Sequence, residues 1–196
     1  MGGHPARPLN MKSPKLWLRA EQVQKIRKTA LELLRRVHYV GGVVPVDRAA
    51  HELGASIRYA PYDGELAGML IRNGSESIIA VNSAHHKNRQ RFTIAHECGH
   101  LCLHSDNLYV DKNFFVLNRD DRSSNADDIK EIEANQFAAE LLMPFPNIFR
   151  DLRSSKIDLE DEQQISNVAK LYGVSVQAMT YRVANLFMIQ RVERPK

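Results

Sequence analysis

The chain has 196 residues, 43% hydrophobic and 26% charged, with a net charge of +4. That balance suits one soluble globular domain, or a domain with a small appendage, able to bury a core without disulfides. It holds no internal repeat, no long low-complexity segment and no apolar run long enough to span a bilayer, and its mild positive charge is no diagnostic nucleic-acid patch.

Residues 1–18 are polar, Pro-rich and basic, and are expected to form a disordered arm. The arm lacks the apolar middle region of a secretory signal. Ala6 stands where a myristoylation site needs Ser or Thr. The only cysteines, Cys98 and Cys102, are one helical turn apart and suggest no disulfide framework. A cytoplasmic location is the expectation.

From Glu21, apolar residues recur at three- and four-residue steps through Val23, Ile26, Ala30, Leu33, Leu34 and Val37, predicting a helix that "GG" at 41–42 stops. "PVDRAAHELG" predicts a short helix between Pro45 and Gly54. The period then changes. "SIRYAPY", "LAGMLIR" and "SIIAVN" are β-rich runs separated by the turn signals "DGE" and "NGSE", predicting three strands of a small sheet. A long helix follows from about Lys87 to His104. Residues 105–127 are polar with apolar islands, and a stretch that long in a compact domain is functional or partly strand. A further helix runs from about Asp127 to Met143 and stops at Pro144. Residues 145–190 look helical, with a break at "YGVS".

The chemistry concentrates in "RFTIAHECGHLCLH". His96, Glu97 and His100 form the H-E-x-x-H pattern. Residues four apart share a helix face, so both imidazoles reach one Zn²⁺. Glu97 is one step around, placed to hold the attacking water and act as general base. At roughly 100° per residue, Ile94, Cys98, Leu101 and Cys102 fall on the opposite face, where the cysteines serve as small buried hydrophobes. His104 sits at the margin of the histidine face, two turns after His96, too far along the axis for comfortable shared ligation. A packing role, or one supporting a ligand, suits it better. Leu103 and Asp106 stand where a metzincin would have Gly and a third His, which excludes that class.

A catalytic zinc wants a third protein ligand and one open position. "DDIKEIEANQFAAELLMP" offers Glu131 and Glu133. Glu133 falls with Gln136 and Glu140 on what reads as a solvated face. Glu131 falls with Ala134, Asn135, Ala138 and Leu142, and a carboxylate on a buried face needs a partner. Glu131 is therefore the expected third ligand, with Glu133 the fallback. Asn135, one turn on, is placed to accept from the free N–H of a ligating histidine.

"RQRFTIAHECGHLCLH" followed by "EIEANQFAAELLMP" resembles the ImmA/IrrE family of zinc metallopeptidases. The resemblance extends from about Val46 to the C-terminal helices and takes in Gly54, Arg89, Arg91 and Met143-Pro144. It implies His96 and His100 as ligands, Glu97 as the catalytic glutamate and a glutamate of the second motif as the third ligand. The Glu131-x-x-x-Asn135 spacing resembles the Glu-x-x-x-Asp of thermolysin-like gluzincins. The resemblance further implies one Zn²⁺ per chain and a protein partner, a helix-turn-helix transcriptional repressor whose cleavage derepresses phage, mobile-element or stress-response genes.

The donor that stabilises the oxyanion is not evident; Tyr109, His104, Arg119 and Arg122 are the candidates. "SIIAVN" is a candidate for pairing with an extended substrate. "VAKLYGVSVQAMTYRVANL", residues 168–186, resembles a helix-turn-helix. Its second helix offers only Arg182 as a cation, so packing or protein docking is favoured over direct DNA binding. The expectation is an α+β, zincin-like minimal metallopeptidase domain over residues 19–145, with a small twisted sheet and an active-site helix, and a helical appendage over 146–196 packed on it. The alternative is a DNA- or protein-binding regulator, a toxin-antitoxin-like partner, whose zinc site is structural or vestigial.

Overall fold

The computed structural model describes residues 18–63, 66–74, 76–105, 108–111, 125–154 and 161–192. The arm at 1–17, most of the 105–127 stretch with Arg119 and Arg122, and the Tyr109 side chain lie outside the described residues.

The order is α1 (Ala20–Arg36), α2 (Val46–Glu52), β1 (Ala55–Ala60), β2 (Gly68–Asn73), β3 (Glu76–Asn82), α3 (Lys87–Leu103), β4 (Leu108–Asp111), α4 (Asn125–Leu142), α5 (Phe145–Ser154), α6 (Glu162–Tyr172) and α7 (Val176–Val192). It is an α+β fold. α1 ends before the glycine pair, through His38 in the left-handed region (φ +54°). α2 stops where predicted, at Gly54 (φ +79°), a conformation cheap only for glycine.

The four strands lie in the order β1-β3-β2-β4. β1 is parallel to β3, with Ile57 opposite Ile79; β2 is antiparallel to β3 and to β4. Two corrections follow. The "partly strand" segment after α3 supplies a fourth strand, β4. "SIIAVN", now β3, has a neighbour on each side, so its backbone groups are spent within the sheet and it offers nothing to a substrate. Among the described residues the edges are β1 and β4.

α3 packs on β2 and β3, and α4 lies between α3 and α1. Leu70 and Ile79 of the sheet, Ile94 and Cys98 of α3, and Phe137 and Leu141 of α4 are at most 1% exposed and share one core. Gly99 explains how closely α3 and α4 approach. A Cβ there would sit 3.0 Å from Ala134 Cα and 3.1 Å from the Ala134 carbonyl oxygen, so any side chain would push α4 away.

The face of α4 predicted to be solvated is not. Glu140 is fully buried, bound by Arg182 of α7 at 2.7 Å and Arg27 of α1 at 3.1 Å. Both cations come from distant sequence, so the local period gave no warning. α4 packs against both α3 and α1, which brings Glu140 under two other helices. Arg182 also donates to the Met143 carbonyl oxygen, and Arg91 of α3 donates to the Gly173 carbonyl oxygen in the α6–α7 turn, so the C-terminal pair is tied to the rest. No helix among the described residues is long and apolar enough to cross a membrane.

Candidate metal centre

α3 and α4 meet at the site. Gln90 and residues 93–100 of α3 are buried, so His96 and His100 point into protein. Arg72 of β2 secures the end of the helix, its guanidinium donating to the carbonyl oxygens of His100 and His104 at 2.9 Å each. A cation at a helix C-terminus satisfies carbonyls that the helix itself leaves without donors. Nothing in the strand pattern marks Arg72 for this task.

His96 Nε2 and His100 Nε2 are 3.0 Å apart. Glu131 brings one carboxylate oxygen to 3.2 Å from His96 Nε2 and the other to 3.3 Å from His100 Nε2. These three residues form a cluster that could hold a metal ion, the only such group among the described residues. Ligand atoms about 2.0–2.2 Å from a tetrahedral ion stand roughly 3.3 Å from one another, close to the separations observed. The histidine side chains are 1% exposed and that of Glu131 is 44% exposed, so among the described residues the cluster is closed on the histidine side and reached from the side of Glu131. An open position is what a catalytic rather than a structural site keeps.

The outer hydrogen bonds aim the electron pairs. Asn135 Oδ1 lies 3.0 Å from His96 Nδ1. An amide oxygen only accepts, so Nδ1 carries the hydrogen and the Nε2 lone pair of a neutral ring faces the cluster. On the other ligand, His100 Nδ1 is 3.0 Å from His104 Nδ1, and His104 Nε2 is 3.0 Å from a Glu133 carboxylate oxygen. Burial foremost pushes the His100 pKa down from 6.5 to about 4, so its ring is neutral near pH 7. Two imidazole lone pairs and a carboxylate directed at one point repel unless a cation sits among them, so the residues fit a metal.

Glu97 is fully buried one residue along from His96 and is not among the three converging donors. Glu133 stands outside them too, in contact with His104 and with Gln22 of α1. His104 has both ring nitrogens engaged, which leaves it poorly placed to serve an oxyanion. Cys98 is buried in the core and Cys102 packs against it, half-buried; burial raises both thiols, Cys102 to about 11.

The profile of the Peptidase_M78 family, the IrrE N-terminal-like domain, matches residues 50–184. The chain belongs to this family. Peptidases of this family are metal-dependent, in keeping with the cluster. The Peptidase_M78 match spans α3 and α4 whole and leaves α1 outside. No curated protein matches the chain. Among solved structures, a Mycobacterium tuberculosis transcriptional regulator is similar at a TM-score of 0.53 and 15% identity, covering 82% of this chain and 46% of that one. At that identity the likeness speaks for the fold alone, and this chain spans less than half the length of that protein.

Proposed function

We propose that the chain is a cytoplasmic, zinc-dependent endopeptidase that cuts a regulatory protein, a helix-turn-helix transcriptional repressor, and so derepresses phage, mobile-element or stress-response genes. The observation that carries the peptidase reading is the convergence of His96 Nε2, His100 Nε2 and the Glu131 carboxylate, open on one side. Zinc is favoured because two imidazoles and a carboxylate are the donor set of open, catalytic zinc sites. The repressor as substrate rests on the family resemblance.

His96, His100 and Glu131 would hold the ion, and Asn135 would keep the His96 ring turned toward it. A bound zinc supplies Lewis acidity, polarising the scissile carbonyl and making water acidic enough to attack near neutral pH. Glu97 takes the proton from the attacking water on its carboxylate and hands it to the leaving amine as the C–N bond breaks. Among the described residues β4 is an edge strand beside β2, whose Arg72 holds the site end of α3, and we propose that an extended peptide adds there by main-chain hydrogen bonds. The regulator reading has less support, since Arg182, the cation it would use, is buried against Glu140.

The test is cleavage of the repressor encoded beside the gene, with Glu97→Gln as control. The wild type should cut and Glu97→Gln should be slower by roughly 10²–10⁴-fold with its zinc content unchanged. Equal activity of the two would remove Glu97 from the mechanism.

A further inference from the structure

Outside the three converging donors lies a chain of contacts that the proposed mechanism leaves unused. Glu133 Oε2 is 3.0 Å from His104 Nε2, and His104 Nδ1 is 3.0 Å from His100 Nδ1. The other Glu133 oxygen accepts from Gln22 of α1 at 3.3 Å. The His104 side chain is 6% exposed and that of Glu133 22%, so water competes weakly for either. An ionised carboxylate only accepts, so His104 Nε2 carries a hydrogen. With the Nε2 hydrogen donated to Glu133, the other ring nitrogen, Nδ1, faces His100 as the acceptor. The short Nδ1–Nδ1 contact needs one proton between its ends, and that proton must belong to His100. His100 Nε2 is left bare and faces Glu131. Reversing any link would turn an N–H toward the metal.

We propose that His104 and Glu133 are positioning residues for the metal centre: Glu133 orients His104, and His104 fixes His100 in the tautomer whose Nε2 binds metal. On this view the two motifs interlock twice, once through the ligands and once behind them. The pair mirrors Asn135, which does the same for His96 from α4. Gln22 adds α1, a helix outside the family match, as a prop for Glu133. The inference rests on the reading of His96, His100 and Glu131 as a zinc site.

The experiment is zinc affinity, by competition with a chromophoric chelator, for wild type, His104→Ala, Glu133→Leu and the double variant. His100→Ala serves as the ligand control, and melting of each metal-free protein confirms folding. Partners behind a metal ligand are worth roughly 10–100-fold in affinity. Each single variant should lose that much, and the double variant should lose no more than His104→Ala, because Glu133 acts only through His104. Affinities within about threefold of wild type would overturn the proposal, and so would losses that add in the double variant. A spectroscopic reading stands apart from stability. In the ¹⁵N spectrum of zinc-loaded wild type, His100 should show a protonated Nδ1 coupled across the hydrogen bond to His104 Nδ1, and Glu133→Leu should weaken that coupling. A protonated His100 Nε2 would contradict it. If wild type binds no zinc, or His100→Ala binds as well as wild type, the metal reading itself fails and the positioning role falls with it. That result is distinct from intact ligand dependence with indifferent His104 and Glu133 variants.

Discussion

Two helix pairs invite comparison. In α3 and α4, polar groups on facing helices converge on one point: His96, His100 and Glu131 stand about it with Asn135 and His104 behind. In α6 and α7, joined through Gly173 (φ +62°), the cation of the second helix is satisfied inside the fold. Arg182 is 4% exposed and spends its guanidinium on Glu140 and the Met143 carbonyl oxygen. The lesson is that a polar residue on a helix declares little by itself. What matters is whether its complement lies within the chain. The complement of Arg182 is Glu140, within the chain, while His96, His100 and Glu131 form a donor set that fits a cation.

That contrast is open to attack, beginning with the largest effect. Glu131→Ala removes the only anionic donor of the three, so zinc affinity should fall by well over 100-fold, beyond the roughly 10–100-fold reached by residues behind the ligands. Chelator competition reads it, and a small change would shift suspicion to Glu133. Arg182→Ala should act on stability instead. Removing one partner of a buried ion pair costs about 3–5 kcal/mol, and the low end applies because Arg27 still reaches Glu140. Urea unfolding should show that loss with zinc affinity unchanged. A variant that kept its stability but lost DNA affinity would undo the distinction between the two pairs.

Asn135→Ala sharpens the comparison from within α4. It frees His96 to take either tautomer and should weaken zinc binding by roughly 10–100-fold with little effect on melting. The smallest effect is pH dependence of the metal-free protein. The folded His100 pKa lies near 4 and the unfolded value near 6.5, so the unfolded chain takes up the proton first. Stability should therefore decline as pH falls from about 6.5 toward 4, by at most roughly 1.4 kcal/mol per pH unit from this group. It should be flat above that window, and denaturant midpoints at pH 7.5 and 5 would measure the slope.

How much of this was legible in the sequence varies with the distance over which the information travels. The histidines of α3 were legible because ligation imposes its own spacing, four residues on one face. The same period put Glu131 and Asn135 on one face of α4, but not on a buried one: Asn135 is exposed, and the Glu131 side chain at 44% is more exposed than that of Glu133 at 22%, so local period misjudged which face is covered. Glu140 was not legible, because its partners lie 42 residues downstream and 113 upstream, and a buried carboxylate with remote partners looks like a solvated one in its own helix. The same blindness hid Gln22 behind Glu133, 111 residues apart. "SIIAVN" was correctly a strand, yet no local pattern tells a central strand from an edge, since strand order is set by long-range pairing. β4 was obscured by the polar residues around it. His104 was placed at the margin of the metal face by geometry alone, and what that margin touches needed α4 in position.

X-ray absorption at the zinc edge addresses the central claim most directly, because it reads the elements bound to the ion. One zinc per chain is expected, with a shell of nitrogen and oxygen at about 2.0–2.2 Å, no sulfur at about 2.3 Å, and a visibly altered shell in Glu131→Ala. A sulfur shell from Cys98 or Cys102, or a spectrum unmoved by Glu131→Ala, would contradict it.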